Sequence, residues 1–246
     1  MIKSAETILS MRQICNRFGD QVVHENLDLD VHRGEIIGLV GGSGAGKSVL
    51  LRTAIGLHKP NSGKIVLNAS PIGVLFQHGA LFSSMTVAEN VALPLIEHTR
   101  LSRAQALHLA QIKLALVGLN QHAGEQYPAE LSGGMVKRAA LARALIREPD
   151  IVFLDEPTAG LDPLNAAAFD SLIKTLSKAL GLTVVLVTHD LDTLYAICDR
   201  IAVLADKRIV AIDTVAKVAA NPDSWIQSYF HGPRGRAAAH AARKED

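Results

Sequence analysis

Cysteine is nearly absent from this chain: Cys15 and Cys198 are the full complement. Neither has a partner at disulfide-framework or metal-ligand spacing, which excludes a stapled secreted scaffold and a zinc site and points to a reducing setting. Surplus charge is absent too. Lys and Arg number 25 against 24 Asp and Glu, a net charge of +1, so the chain is no general polyanion binder and nucleic acid is not expected as a partner. A membrane-spanning run is also missing. The longest stretch free of Asp, Glu, Lys and Arg, Ile65 to Ala88, is broken by Asn68, Pro71, Gln77 and His78 and fails as a bilayer-crossing helix. Met1 to Thr7 show no apolar core followed by a small-residue cleavage site, so the expectation is a protein neither secreted nor integral, with a peripheral membrane role left open. What is abundant is apolar surface. Hydrophobic residues make up 48% of 246 and charged residues 20%, enough for a substantial core at this length.

Short apolar runs, Ile36–Val40, Ile151–Leu154, Val184–Val187 and Ile201–Leu204, alternate with helix-length segments. That is the pattern of parallel strands buried on both faces, hence an α/β core. Glu6–Ile14 and Val22–Val31, separated by Phe18-Gly-Asp-Gln21, read as an antiparallel edge hairpin. Between Ser102 and Arg147 strand signals vanish and helix formers dominate, which predicts an inserted helical region. The last 15 residues, from Gly232 to Asp246, form a short tail rich in Ala and Arg.

Gly41-Gly42-Ser43-Gly44-Ala45-Gly46-Lys47-Ser48 matches the phosphate-loop pattern G-x-x-x-x-G-K-[ST], and it stands between the strand Ile36–Val40 and a helix-compatible run beginning at Val49. Both contexts are what the chemistry requires. Glycines let successive amides turn toward phosphates, Lys47 reaches the β- and γ-phosphates of ATP, and the Ser48 hydroxyl ligates Mg²⁺. Asp155-Glu156 ends the apolar strand Ile151–Leu154. An acidic pair alone is usually a solvated strand end, but beside a phosphate loop Asp155 is suited to hold Mg²⁺ through water and Glu156 to polarise the attacking water. Ser132-Gly133-Gly134 opens the helical stretch Val136–Leu145, giving a second capped helix end with exposed amides.

Leu131-Ser-Gly-Gly-Met135, followed by Lys137-Arg-Ala-Ala-Leu-Ala-Arg-Ala-Leu145, resembles the signature motif of the ATP-binding cassette (ABC) ATPases. The resemblance covers essentially residues 5 to 230. It implies a RecA-like parallel-sheet core with an antiparallel β edge (1–84 and 148–231) and an inserted helical subdomain (85–147), followed by the basic tail (232–246). It also implies roles. Phe18 resembles the aromatic that stacks on adenine, the alternative being a core side chain. Gln77, in Val74-Leu-Phe-Gln-His78, resembles the glutamine loop that touches Mg²⁺ and the attacking water. Leu161 and Asp162, in Ala159-Gly-Leu-Asp162, resemble the loop that contacts the opposite subunit. His189, in Val187-Thr-His-Asp190, resembles the switch histidine at the γ-phosphate. The resemblance implies a head-to-tail dimer with two ATP molecules between the copies, whose hydrolysis loosens it.

The segment from Phe76 to Thr99, Met135 where many relatives carry Gln, and Trp225 to Arg236 are similar to the ATPases of Mla/Mce-type lipid transporters. This implies a motor at the cytoplasmic face of a bacterial inner membrane that moves phospholipid or another hydrophobic molecule. The partners implied are a permease docking near Gln77–Met85, a periplasmic lipid-binding subunit and a small cytoplasmic regulatory subunit. The alternative is the motor of a polar-solute importer, which shares every catalytic motif. One departure stands out: only Val66 to Phe76 separate Ser62-Gly-Lys-Ile65 from Gln77, where most relatives carry a further hairpin and helix. A shortened surface excursion is thermodynamically mild.

Overall fold

The hairpin expected at the amino end is present in the computed structural model, which describes residues 6–232. Strand β1 (Thr7–Phe18) turns through Gly19-Asp20 into the antiparallel β2 (Gln21–His32). The pairs Leu9 with Val31, Met11 with Leu29 and Ile14 with Leu27 are all buried, so one face of the ribbon is a row of apolar cross-strand contacts. Strand β3 (Ile36–Gly41) is buried at every position, as its unbroken apolar run predicts,. It leads through the glycine-rich loop into α1 (Lys47–Ala54), and β4 (Ser62–Leu67) then returns to pair with β1.

Backbone packing divides the chain into two units, one of residues up to Asn68 and from Ser177 onward, the other Ala69–Leu176. In the second, β5 (Ile72–Leu75) follows β4 after four residues. Then come α2 (Val87–His98), α3 (Arg103–Leu116), the short α4 (Gln121–Glu125), one 3₁₀ turn at Pro128–Glu130 and α5 (Gly133–Leu145). Strand β6 (Ile151–Asp155), again wholly buried, runs parallel to β5. The helices start where local chemistry tells them to. Thr86 and Glu89 form a reciprocal cap on α2, and Ser102 and Gln105 do the same on α3, each worth about 1 kcal/mol.

Helix α6 (Pro163–Leu180) carries the chain back into the first unit. There β7 (Thr183–Val187), α7 (Leu191–Ile197), β8 (Arg200–Ala205), β9 (Arg208–Asp213), α8 (Val215–Ala219) and α9 (Ser224–His231) follow. Strands β7, β3 and β8 are parallel neighbours, in that order, and β9 adds an antiparallel edge through Asp206-Lys207. Both turn residues have positive φ, 46° and 66°, as a two-residue hairpin turn demands. The sheet start is locked by side chains. The Ile36 amide donates to Asp199, and Arg200 pairs with Glu35 at 3.1 Å. Of the tail, only Gly232 falls within the described residues.

Under the glycine-rich loop lies a buried polar cluster that the sequence does not announce. Asn16 Nδ2 donates to His24 Nδ1 at 2.9 Å and to Thr53 Oγ1 at 3.0 Å, while Thr53 donates to the Val49 carbonyl. Because an amide nitrogen can only donate, His24 Nδ1 is an acceptor and its proton sits on Nε2. Both His24 and Asn16 are fully buried. Burial pushes the His24 pKa down to about 4, with the nearby His58 adding to the shift and the Gly46 backbone opposing it. Between pH 6.5 and 4 the unfolded chain therefore takes up a proton that the folded chain refuses. His24 favours the fold fully above pH 6.5, and about 3 kcal/mol is lost as pH falls through that window. Urea unfolding from pH 7 to 4 should show a steeper fall for the parent than for His24→Leu; parallel curves would exclude His24 as the group responsible.

Candidate functional site

The glycine-rich loop begins where β3 ends, and two glycines in it have no room for a side chain. A Cβ on Gly41 would lie 2.4 Å from the Leu204 carbonyl oxygen of β8. At Gly46, which has φ 98° and caps α1, it would lie 2.5 Å from Val23 and 2.6 Å from His24. Only glycine suits a left-handed position pressed this closely. Helix α1 has no acidic residue in its first turn and its cap makes no side-chain hydrogen bond to its amides, so its positive end is suited to an anion. The Lys47 ammonium bridges back to the Gly41 and Gly42 carbonyls at 2.8 and 3.1 Å, which keeps it at the mouth of the loop. Ser43, Gly44, Ala45, Ser48 and Val49 complete the cradle and the start of the helix.

Two more of the expected residues belong to this first unit. Phe18 is 48% exposed, so it is not a core side chain. Its ring stacks on His58 with centroids 4.9 Å apart and planes 25° from parallel. His58 carries no motif, and sequence reading missed it. His189 is exposed just beyond the buried strand β7, immediately before the Asp190 that caps α7.

The second unit holds the rest. Asp155 ends β6 at 5% exposure, and Glu156 follows with a positive φ of 49°, an uncommon backbone for a non-glycine and a common one at working sites. The side chain that organises this end is Lys137. It is 6% exposed, and its ammonium donates to the Gln77 carbonyl and, at 3.2 Å, to the Glu156 carbonyl. Burial lowers its pKa, while the charges of Glu156 and Asp155 raise it. Arg143, on the same helix, donates to the Gly79 and Ala80 carbonyls, both at 2.7 Å. Helix α5 thus holds the glutamine loop in two places. Neither residue was legible as functional, because cations on a helix read by default as a solvated face.

The amino end of α5 is capped by Ser132, whose hydroxyl accepts from the Met135 amide. No acidic residue lies in its first turn, and Gly133 has nothing within 4 Å of where a Cβ would stand. Gly134 lies near Leu161 and Asn165, so the Leu161-Asp162 loop borders this helix end. Asp162 accepts from both the backbone and the side chain of Asn165, which holds its carboxyl below the usual range. Among the described residues no three His, Cys, Asp or Glu gather to hold a metal by themselves. The expected ligands Ser48, Asp155 and Gln77 are all hard oxygen donors. A sparse oxygen set suits Mg²⁺, which keeps several waters and takes its remaining ligands from substrate phosphates.

A family model described as ABC transporter matches residues 24–159. The chain is 39% identical to the intermembrane phospholipid transport system ATP-binding protein MlaF of Escherichia coli (strain K12), over 94% of this chain and 91% of that protein. It is 38% identical to the methionine import ATP-binding protein MetN of Rhizobium johnstonii, over 97% of this chain and 70% of that protein. Among solved structures it resembles the dimeric post-hydrolysis ATP-binding cassette MJ0796 bound to ADP and Pi, at TM-score 0.76 and 30% identity, covering 84% of this chain and 98% of that one. With its phosphate loop, acidic strand end and capped signature helix in place, the chain belongs to the ABC transporter family as its ATP-hydrolysing subunit.

Proposed function

We propose that this ABC ATPase drives phospholipid, or another hydrophobic molecule, between the inner and outer bacterial membranes from the cytoplasmic face of the inner membrane. The observation that carries the reading is the match to MlaF along nearly the full length of both chains, whereas the chain spans only 70% of the MetN relative. No helix among the described residues is long and apolar enough to cross a membrane, so the work on the membrane falls to a partner.

The residue roles follow from the chemistry of each group. Amides of the phosphate loop and the Lys47 ammonium bind the β- and γ-phosphates of ATP, lowering the cost of charge build-up on the transferred group. Ser48, Asp155 and Gln77 hold the Mg²⁺, which when bound neutralises phosphate charge. Glu156 takes a proton from water as its oxygen attacks the γ-phosphorus, and His189 contacts the γ-phosphate. Phe18 offers a ring face to adenine. The Ser132-Gly133-Gly134 helix end contributes to the nucleotide of a second copy, arranged head to tail through Leu161 and Asp162. Loss of the γ-phosphate then removes the group that both helix ends prefer, and the dimer loosens.

The docking site for the permease is the segment Gln77–Met85, and its construction supports that use. Asn90 is fully buried. Its side chain accepts from the Phe82 amide and donates to the carbonyls of Phe82, Met85 and Thr86. The loop backbone is thereby satisfied from within, and Phe82 is left 53% exposed at its tip. A periplasmic lipid-binding subunit and a small cytoplasmic regulatory subunit complete the proposed complex.

Glu156→Gln should retain ATP binding and lose turnover by about 100-fold or more, accumulating a nucleotide-bound dimer visible by size exclusion. Normal hydrolysis by this variant would remove Glu156 as the base. Lys47→Ala should abolish binding of a fluorescent ATP analogue, and undiminished affinity would overturn the cradle. Lys137→Met should slow turnover about tenfold or more at unchanged nucleotide affinity, because it removes a charged hydrogen bond from the Gln77 and Glu156 carbonyls. The transport assignment is tested by affinity purification of the tagged chain from detergent-solubilised membranes. A copurifying permease with phospholipid is expected; an importer permease with a solute-binding protein would reassign the cargo to polar solutes.

A further inference from the structure

Helix α9 presents two pairs of side chains one turn apart, and they do different things. Ile226 and Phe230 are buried in a cluster with Val40, the strand residue just before the phosphate loop, and with Leu191 and Leu194 at the start of α7. Trp225 and Tyr229 are half-buried beside that cluster and stack on each other, centroids 4.9 Å apart and planes 14° from parallel. The Trp225 indole nitrogen stands 3.6 Å from where a Cβ on Gly42 would lie. Residues 42–45 of the phosphate loop and Trp225 share the lining of a cavity of about 360 Å³. At the other end of the stack, the Tyr229 hydroxyl donates to the backbone carbonyl of His189 at 3.0 Å.

We infer that Tyr229 is a positioning residue for the switch histidine: it fixes the His189 peptide, while its stacking partner Trp225 references the same helix to the phosphate loop. This rests on the reading of His189 as a γ-phosphate contact. His189 is exposed, at the junction of a buried strand and a short helix, where an unrestrained carbonyl would be hydrated and free to tilt. A hydrogen bond from a ring already immobilised by Trp225, and by an edge contact to Phe230 at 5.1 Å, costs little further ordering. It sets the peptide from which the imidazole projects. Small displacements of a group that meets the reacting phosphate are expensive in rate and need not alter ground-state binding.

The test compares Tyr229→Phe, His189→Ala and the double variant in the full chain, reading ATPase kcat, nucleotide Kd and Tm. Tyr229→Phe deletes one oxygen and keeps the stack. It should lower kcat about 3- to 10-fold, the rate equivalent of one hydrogen bond, with Kd and Tm at parental values. If Tyr229 works through His189, the double variant turns over no more slowly than His189→Ala alone. Parental kcat in Tyr229→Phe, with or without a fall in Tm, would overturn the inference and leave the tyrosine a packing residue. So would two defects that multiply. Parental kcat in His189→Ala would instead bring down the γ-phosphate reading itself, and the positioning role with it.

Discussion

Between Gly41, pressed against the Leu204 carbonyl, and Gly46, pressed against Val23 and His24 with a left-handed backbone, four residues have to turn a buried strand into a helix. That squeeze sets what surrounds it. Strand β8 must bring a bare carbonyl up to the loop, which works because Gly41 has no Cβ and because β3 and β8 are in parallel register at Gly41 and Leu204. The hairpin must come close from the other side, and it does so with a histidine that can be packed under a backbone only while uncharged. The polar Asn16–His24–Thr53 cluster is therefore as much a part of the phosphate loop as the glycines are. Its bond from Asn16 into α1 through Thr53 ties the helix that follows the loop to the edge sheet.

The acidic strand end is built on a different principle. A buried lysine beside two carboxylates would ordinarily be explained as an ion pair, yet the Lys137 ammonium is aimed at two backbone carbonyls. The charges of Asp155 and Glu156 offset the desolvation of the lysine,. This arrangement also makes the glutamine loop and the peptide after Asp155 share one donor, so a displacement of either changes the environment of the other. Arg143, two turns further along the same helix, holds the next part of the glutamine loop by its carbonyls. A single helix, opened by the signature motif, thus fixes a segment that no local pattern connects to it.

Much of this was readable in advance, for identifiable reasons. The runs at Ile36, Ile151, Val184 and Ile201 are strands because a strand buried on both faces must be apolar throughout. Ser132 marks a helix start because orphan amides need an acceptor. The phosphate loop was legible because its chemistry tolerates few residue types. What could not be read were side chains whose role lies in a direction rather than a type. His58 under Phe18, Asn90 inside its loop, Lys137 and Tyr229 are ordinary residues at ordinary spacings. Strands β4, β5 and β9 were unreadable for another reason: all three are edge strands, β4 and β9 have mixed exposure with no clean period of two, and β5 is only four residues long.

The same distinction separates hydrolysis from cargo. Groups that touch phosphate are constrained by the geometry of phosphate, which is common to every transporter of this kind, and they carry no information about what is moved. A docking segment is constrained only to present a rigid backbone and a side-chain surface that fits its partner. Here the rigidity comes from Asn90 and Arg143, which bond the backbone and leave the outward side chains, Phe82 among them, chemically unspecified by the fold. In the proposed complex those outward positions would be the ones that face the permease. The backbone of this loop is fixed by Asn90 and Arg143, and Phe82 is left exposed on it.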